Sequence, residues 1–164
     1  SAPGSNITAT ASDTLKIDGA ALNALNTGSG ETAKAGSITL SGGAVTIGGP
    51  SGRTILLAGT GALRDTDPDP AKRDSNLSHL TLLDGGTASS STPAISVKGG
   101  DGKTVQIFSG DGSNNGITTL RGATSVEANK GAITLTAPST TLSGGSLNAD
   151  GGSISVTGTT TAKL

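Results

Sequence analysis

Between Gly36 and Gly49 the chain reads GSITLSGGAVTIGG, and between Gly131 and Gly145 it reads GAITLTAPSTTLSGG. A phrase written twice constrains the fold strongly, because a reacting group works in one copy whereas a structural unit is used repeatedly. The phrases align without gaps: Ile38 with Ile133, Leu40 with Leu135, Val45 with Thr140, Ile47 with Leu142 and Gly49 with Gly144. This template describes two short strands joined by a small-residue corner, each turning two residues inward at period 2. Upstream, Leu15, Ile17, Leu22 and Ala24 each precede Ile38, Leu40, Val45 and Ile47 by 23 positions. Downstream, Ile154 and Val156 follow Ile133 and Leu135 by 21 positions.

Weaker copies lie between. They are TILLAG (inward Ile55, Leu57), HLTLL (Leu80, Leu82), AISVKGG (Ile95, Val97) and GITTLRGATSVEA (Ile117, Leu120, Val126). TVQIFSG, with Val105 and Ile107, reads as the second strand of the Ile95 unit. Units begin near residues 14, 37, 54, 79, 94, 116, 132 and 153. The expected fold is all-β: a single-stranded parallel β-helix, or β-solenoid, of about seven to eight irregular coils stacked ~4.8 Å apart. It forms one domain over residues 1–164, with a loop excursion at about 61–78.

Composition decides against the rival folds. The chain holds 27 Gly and one aromatic residue, Phe108, with no Cys, Met, Trp or Tyr. An antiparallel sandwich also has short strands and Gly-rich turns, but its core needs bulky side chains to span the roughly 10 Å between sheets. A flexible Gly/Ser spacer has no reason to keep β-branched alternation. Without Cys there is neither a disulfide scaffold nor a thiolate metal site. No apolar run approaches the ~18 residues of a transmembrane helix, and a net charge of -1 gives no electrostatic ground for nucleic acid or an anionic membrane as partner. The absence of Met marks a processed chain or a piece of a longer one.

The stretch from Leu15 to Ile47, LKIDGAALNALNTGSGETAKAGSITLSGGAVTI, resembles the repeat of filamentous-haemagglutinin-type proteins, the adhesins of two-partner secretion. The resemblance is carried by Gly28-Ser29-Gly30, Ala35-Gly36, Ile38 and Leu40; the residues between Gly30 and Ala35 depart from the tightest form of the pattern. The region from Gly131 onward is similar in texture, and the Asn-Pro-rich motifs of that family's secretion domain are missing. The resemblance implies a right-handed parallel β-helix on a long, secreted bacterial surface protein, the stalk of an adhesin or contact-dependent toxin.

Chemistry-bearing residues are few. Asp65, Asp67 and Asp69 alternate as in a Ca²⁺-binding loop. Pro70 stands where such a loop has Gly, however, and Asn76 where it has the distal Glu. A solvated loop bulging from the rod is therefore the expected role, with calcium as the alternative, and no cofactor is assigned. Asp101 and Asp111 lie in GGDGKT and SGDGSNNG; lacking the order and period of a calcium nonapeptide, they are expected to hydrogen-bond their own turns. Enzymes on β-helices need clustered carboxylates. Nothing in the sequence brings Asp84, Asp101 and Asp111 together, and His79 is the single histidine, so no enzyme is expected. Ice binding would need a regular Thr ladder; Thr39, Thr134, Thr136 and Thr159 to Thr161 are candidates, interrupted by Lys16, Ser96 and Ser155. Asn6 and Asn76 head glycosylation sequons, which a bacterial source would leave idle.

The C-terminal sequence GGSISVTGTTTAKL keeps strand-like alternation to its end, and neither end shows a polar cap. Solenoids normally cap their ends, since an open end exposes backbone groups and apolar side chains. Thr159, Thr160, Thr161, Ala162 and Leu164 are accordingly expected to meet another copy head to tail. A contact of that kind is heterologous and propagates. The expected function is structural: a secreted, extracellular, cell-surface β-solenoid serving as filament subunit or adhesin shaft. A module binding host-cell or matrix glycans is the alternative, although Phe108 alone makes no stacking platform.

Overall fold

The computed structural model describes residues 5–26, 35–50, 52–60, 79–86, 93–110 and 116–163; for residues 79 and 159–163 it describes the backbone. The described chain is all strand and turn, with no helix. In order the first strands are β1 (Asn6–Thr10), β2 (Thr14–Ile17), β3 (Ala21–Asn23), β4 (Ser37–Gly42), β5 (Ala44–Ile47), β6 (Arg53–Leu57) and β7 (His79–Asp84). There follow β8 (Ile95–Gly99), β9 (Thr104–Phe108), β10 (Gly116–Arg121), β11 (Thr124–Ala128), β12 (Ala132–Ser143), β13 (Ser146–Asn148) and β14 (Ser153–Lys163).

Every strand ladder is parallel, and the strands stack into three columns. The first is the five-stranded sheet β1-β4-β8-β11-β13. The second runs β2-β5-β9, then the first part of β12, then the first part of β14. The third runs β3-β6-β7-β10, then the second parts of β12 and β14. Columns two and three are one sheet because β12 passes continuously from one to the other around Pro138, and its register with β14 shifts between Ala137 and Ser139. The chain visits the columns in rotation with one exception. Columns one and two pass directly from β4 to β8 and from β5 to β9, while column three takes up both β6 and β7.

Each column turns a row of small aliphatics inward. Ala9, Leu40, Val97, Val126 and Leu147 are in register in the first. Ile17, Ile47, Ile107, Leu135 and Val156 are in register in the second, and Leu22, Leu56, Leu83, Leu120 and Leu142 in the third. The interior members are fully buried and belong to one cluster. This is why a chain without large aromatics has a core: the interior is narrow, and each residue packs on its counterpart one strand away, near 4.8 Å.

Two sequence expectations need correction. The doubled phrase does not stack on itself: Ile38 lies in column one, whereas Ile133 lies in column two. It repeats a strand–corner–strand step, taken once from column one to two and once from two to three. The unit starts therefore count strands of different columns rather than successive turns. The 21-residue offset does hold, since Ile133 pairs with Ile154 and Leu135 with Val156.

The second correction concerns column three. Ile55, Leu57, Leu80, Leu82 and Ile117 do not line the core; Leu56, Leu83 and Leu120 do, with Thr54, Thr81, Thr118 and Thr140 as their inward neighbours. These four buried threonines form one continuous ladder. Threonine suits the inward place because its hydroxyl adds a hydrogen bond to backbone groups at the corner between columns two and three. Thr81 Oγ1 donates to the Phe108 carbonyl at 2.7 Å and Thr140 Oγ1 to the Thr157 carbonyl at 2.9 Å. Thr54 Oγ1 accepts from the Gly19 N–H at 2.9 Å. The Thr118 hydroxyl reaches the Thr136 carbonyl only at 3.5 Å.

The distances rank the substitutions. Thr81→Val keeps shape but strands a buried carbonyl, and is expected to cost about 1.5 kcal/mol. Thr118→Val is expected to cost less than about 0.5 kcal/mol. Urea unfolding of the two variants checks the order; equal losses would mean that the hydroxyls act only as filler.

Candidate assembly edges

Apolar inward rows reach both ends of the described columns, from Ala9 to Leu147 in the first and from Leu15 to Ile154 and Ile17 to Val156 in the second, while the first column's other row, Ile7-Ile38-Ile95, meets Thr124. At one end β1, β2 and β3 each begin a column, and among the described residues nothing pairs with their outer edges. At the other end β13 and β14 are the last described strands of their columns, and among the described residues nothing pairs with their outer edges. Ile7, Ala9, Leu15, Ile17 and Leu22 are only partly buried at the first end, as are Leu147 and Val156 at the second. Ile154 is 48% exposed, although its ladder partner Ile133 is fully buried. The same alternation that buries Ile133-x-Leu135 inside the stack leaves Ile154 exposed and Val156 half-covered on the last described strand.

Because all strands run parallel and the columns follow chain order, the two ends are different surfaces, and a contact between them is heterologous. Charge does little there. Lys16 pairs with Asp18 at 3.8 Å on β2 and the turn after it. The better-buried pair, Arg121 with Asp84 at 2.8 Å, lies on the outward side of column three, well inside the stack, where Asp84 also accepts from the Gly86 N–H. Along β13 and the first part of β14 the outward residues are Ser146, Asn148, Ser153, Ser155 and Thr157. Apolar matching and open backbone groups are what these ends offer a partner.

The other sequence candidates fall as follows. Asp65, Asp67, Asp69 and Asp111 lie outside the described residues, as does Leu164. Thr159, Thr160, Thr161 and Ala162 belong to β14, where Thr161 pairs with Ser139 and Ala162 with Thr140. Asp101 is exposed at the turn between columns one and two and accepts from the Asn129 carboxamide at 2.9 Å; Asp84 is in column three, so the two carboxylates are not brought together. Thr39 and Thr134 sit on different columns, with Ser96 beside the first and Ser155 beside the second.

The buried threonine ladder escaped the sequence reading, yet the chain carries a signal for it. Thr-x-Leu recurs at Thr54, Thr81, Thr118 and Thr140, and Ala-x-Leu at Ala20 and Ala162. Comparison with known proteins adds no neighbour: no family model, curated protein or solved structure matches the chain.

Proposed function

We propose that the chain is a three-faced parallel β-solenoid of five turns and that its role is structural, as shaft or subunit of an extracellular filament or adhesin that grows end to end. The rotation of the chain through three parallel columns supports the solenoid. One observation carries the assembly: the apolar rows run open to both ends, with Ile154 uncovered on the last strand. Continuing the rows places a second copy's Ala9 on Leu147, its Leu15 on Ile154 and its Ile17 on Val156, in rows that are apolar throughout. Backbone pairing across such a joint is strand addition. The likeness of the stretch from Leu15 to Ile47 to filamentous-haemagglutinin-type repeats supports secretion to a bacterial surface.

Negative-stain electron microscopy over a concentration series tests this reading. Filaments of uniform width are expected for the parent, and short rods at the same concentration for Ile154→Asp, which places a carboxylate in the joint without touching the interior. Discrete parent rods at every concentration would end the polymer reading and make glycan screening the next step.

A further inference from the structure

The three columns are unequal. Columns one and two hold five strands each, but column three holds six: β3, β6, β7, β10 and the second parts of β12 and β14. The difference arises where β6 and β7 both enter column three. In the first two turns the columns advance together, β1-β2-β3 and then β4-β5-β6. An incoming copy therefore carries its β1, β2 and β3 as one level set. If its β1 becomes the sixth strand of column one and its β2 the sixth of column two, its β3 falls on the sixth place of column three. The backbone from Thr161 to Lys163 already occupies that place.

We propose that the end of β14 holds the seat of a second copy's β3, and that growth requires its displacement from the edge of β12; this rests on the end-to-end reading above. The sequence of the segment fits the role. Ala162 pairs with Thr140, at the head of the row Thr54, Thr81, Thr118, Thr140, and Ala20 lies opposite Thr54 at its foot. The two ends of that row are written alike: Ala162-Lys163-Leu164 against Ala20-Ala21-Leu22. The segment is thus built like the strand it would yield to, and exchange swaps one set of ladder bonds for a similar set. The register shift between Ala137 and Ser139 divides the β12–β14 pairing into two stretches. The second stretch can lift while the first stays in place. An end strand that matches the incoming strand acts as a removable stop, so the sequence expectation is reversed: residues 159–164 hold growth back rather than driving it.

The test locks the segment down and, separately, removes it. Ser139→Cys with Thr161→Cys joins two residues paired across the ladder, at a spacing suited to a disulfide, in a chain with no other cysteine. The oxidised full-length variant is expected to stay as single rods, and on reduction to grow like the parent, by light scattering and electron microscopy. A chain ending at Gly158 is expected to start growing at a concentration about tenfold lower than the parent, with circular dichroism confirming its β-structure. Growth of the oxidised variant at the parent's rate overturns the proposal and leaves end-to-end assembly standing. Loss of growth in the folded, shortened chain does the same. Single rods from the parent, the reduced variant and the shortened chain alike overturn the end-to-end reading, and this proposal with it.

Discussion

Gly131→Ala is expected to lower stability by on the order of 4 kcal/mol, among the largest losses a single methyl can cause. The residue sits in the turn from column one to column two, where its N–H bonds the Ala128 carbonyl at 3.0 Å and its carbonyl accepts from Ser153 N–H at 3.0 Å. A Cβ there would fall inside contact distance of the Lys103 carbonyl oxygen, which is backbone and cannot swing aside. Since neighbouring turns hold this one from both sides, the cost cannot be relieved by a local shift. The preceding position of the same turn supplies the control. It is left-handed in three successive turns, at Gly102 (φ 69), Lys130 (φ 54) and Gly151 (φ 71). Gly102 has open space where its side chain would be, so Gly102→Ala is expected to cost only about 1 kcal/mol, the left-handed penalty itself. Lys130→Gly is expected to gain about 0.5 kcal/mol, as relief of that penalty exceeds the added chain entropy. Thermal unfolding distinguishes them: for a chain of this size a loss of about 4 kcal/mol corresponds to roughly 10 °C. A Gly131→Ala protein melting with the parent would refute the close approach.

Ile107→Ala is expected to be nearly as damaging, at about 4 kcal/mol. Ile107 is fully buried between Ile47 and Leu135 in the second column. Its truncation leaves a hole whose walls are fixed by ladder bonds on both sides, so collapse into the cavity is restricted. Ile154→Ala, in the same column but 48% exposed, is expected to cost no more than about 1 kcal/mol in the isolated chain, because little surface is transferred. In a stack where each turn touches only its neighbours, the damage should also stay local. Amide exchange in Ile107→Ala is expected to quicken in β5, β9 and β12 well before β1 or β13. Uniform loss of protection would show that the chain unfolds as one unit.

Much of this architecture was legible in the sequence, and the failures share one physical cause. Strands with a single apolar parity, such as Ile38-x-Leu40 or Val105-x-Ile107, were read with the correct face inward. Strands apolar on both parities were not. TILL and HLTLL give hydrophobicity no preference between faces, and hydrogen bonding at the corner decided for threonine. Leu80 and Leu82 are nonetheless buried on the outward side, so burial by itself would not have revealed the inversion. The columns were also confused. Two strands of different columns obey the same rule of alternation and corner, so the resemblance between Ile38 and Ile133 reports shared physics rather than adjacency. The inward parity at the start of β14 was visible as alternation carried through to Val156. The sixth strand of column three was not, because it depends on which strand pairs with which, and unequal spacing from 15 to 25 residues hides that count.

The parallel ladders have a mechanical side. Every ladder bond points from one strand to its neighbour along the stack, so tension applied along it is carried in series by every level, and the weakest level releases first. From Ile133 to Ile154 the chain spends 21 residues to advance one strand. A turn that lets go thus trades a rise of about 4.8 Å for roughly 70 Å of extended chain. A parallel stack built this way yields stepwise under load, each released level lengthening more than tenfold while the others remain paired.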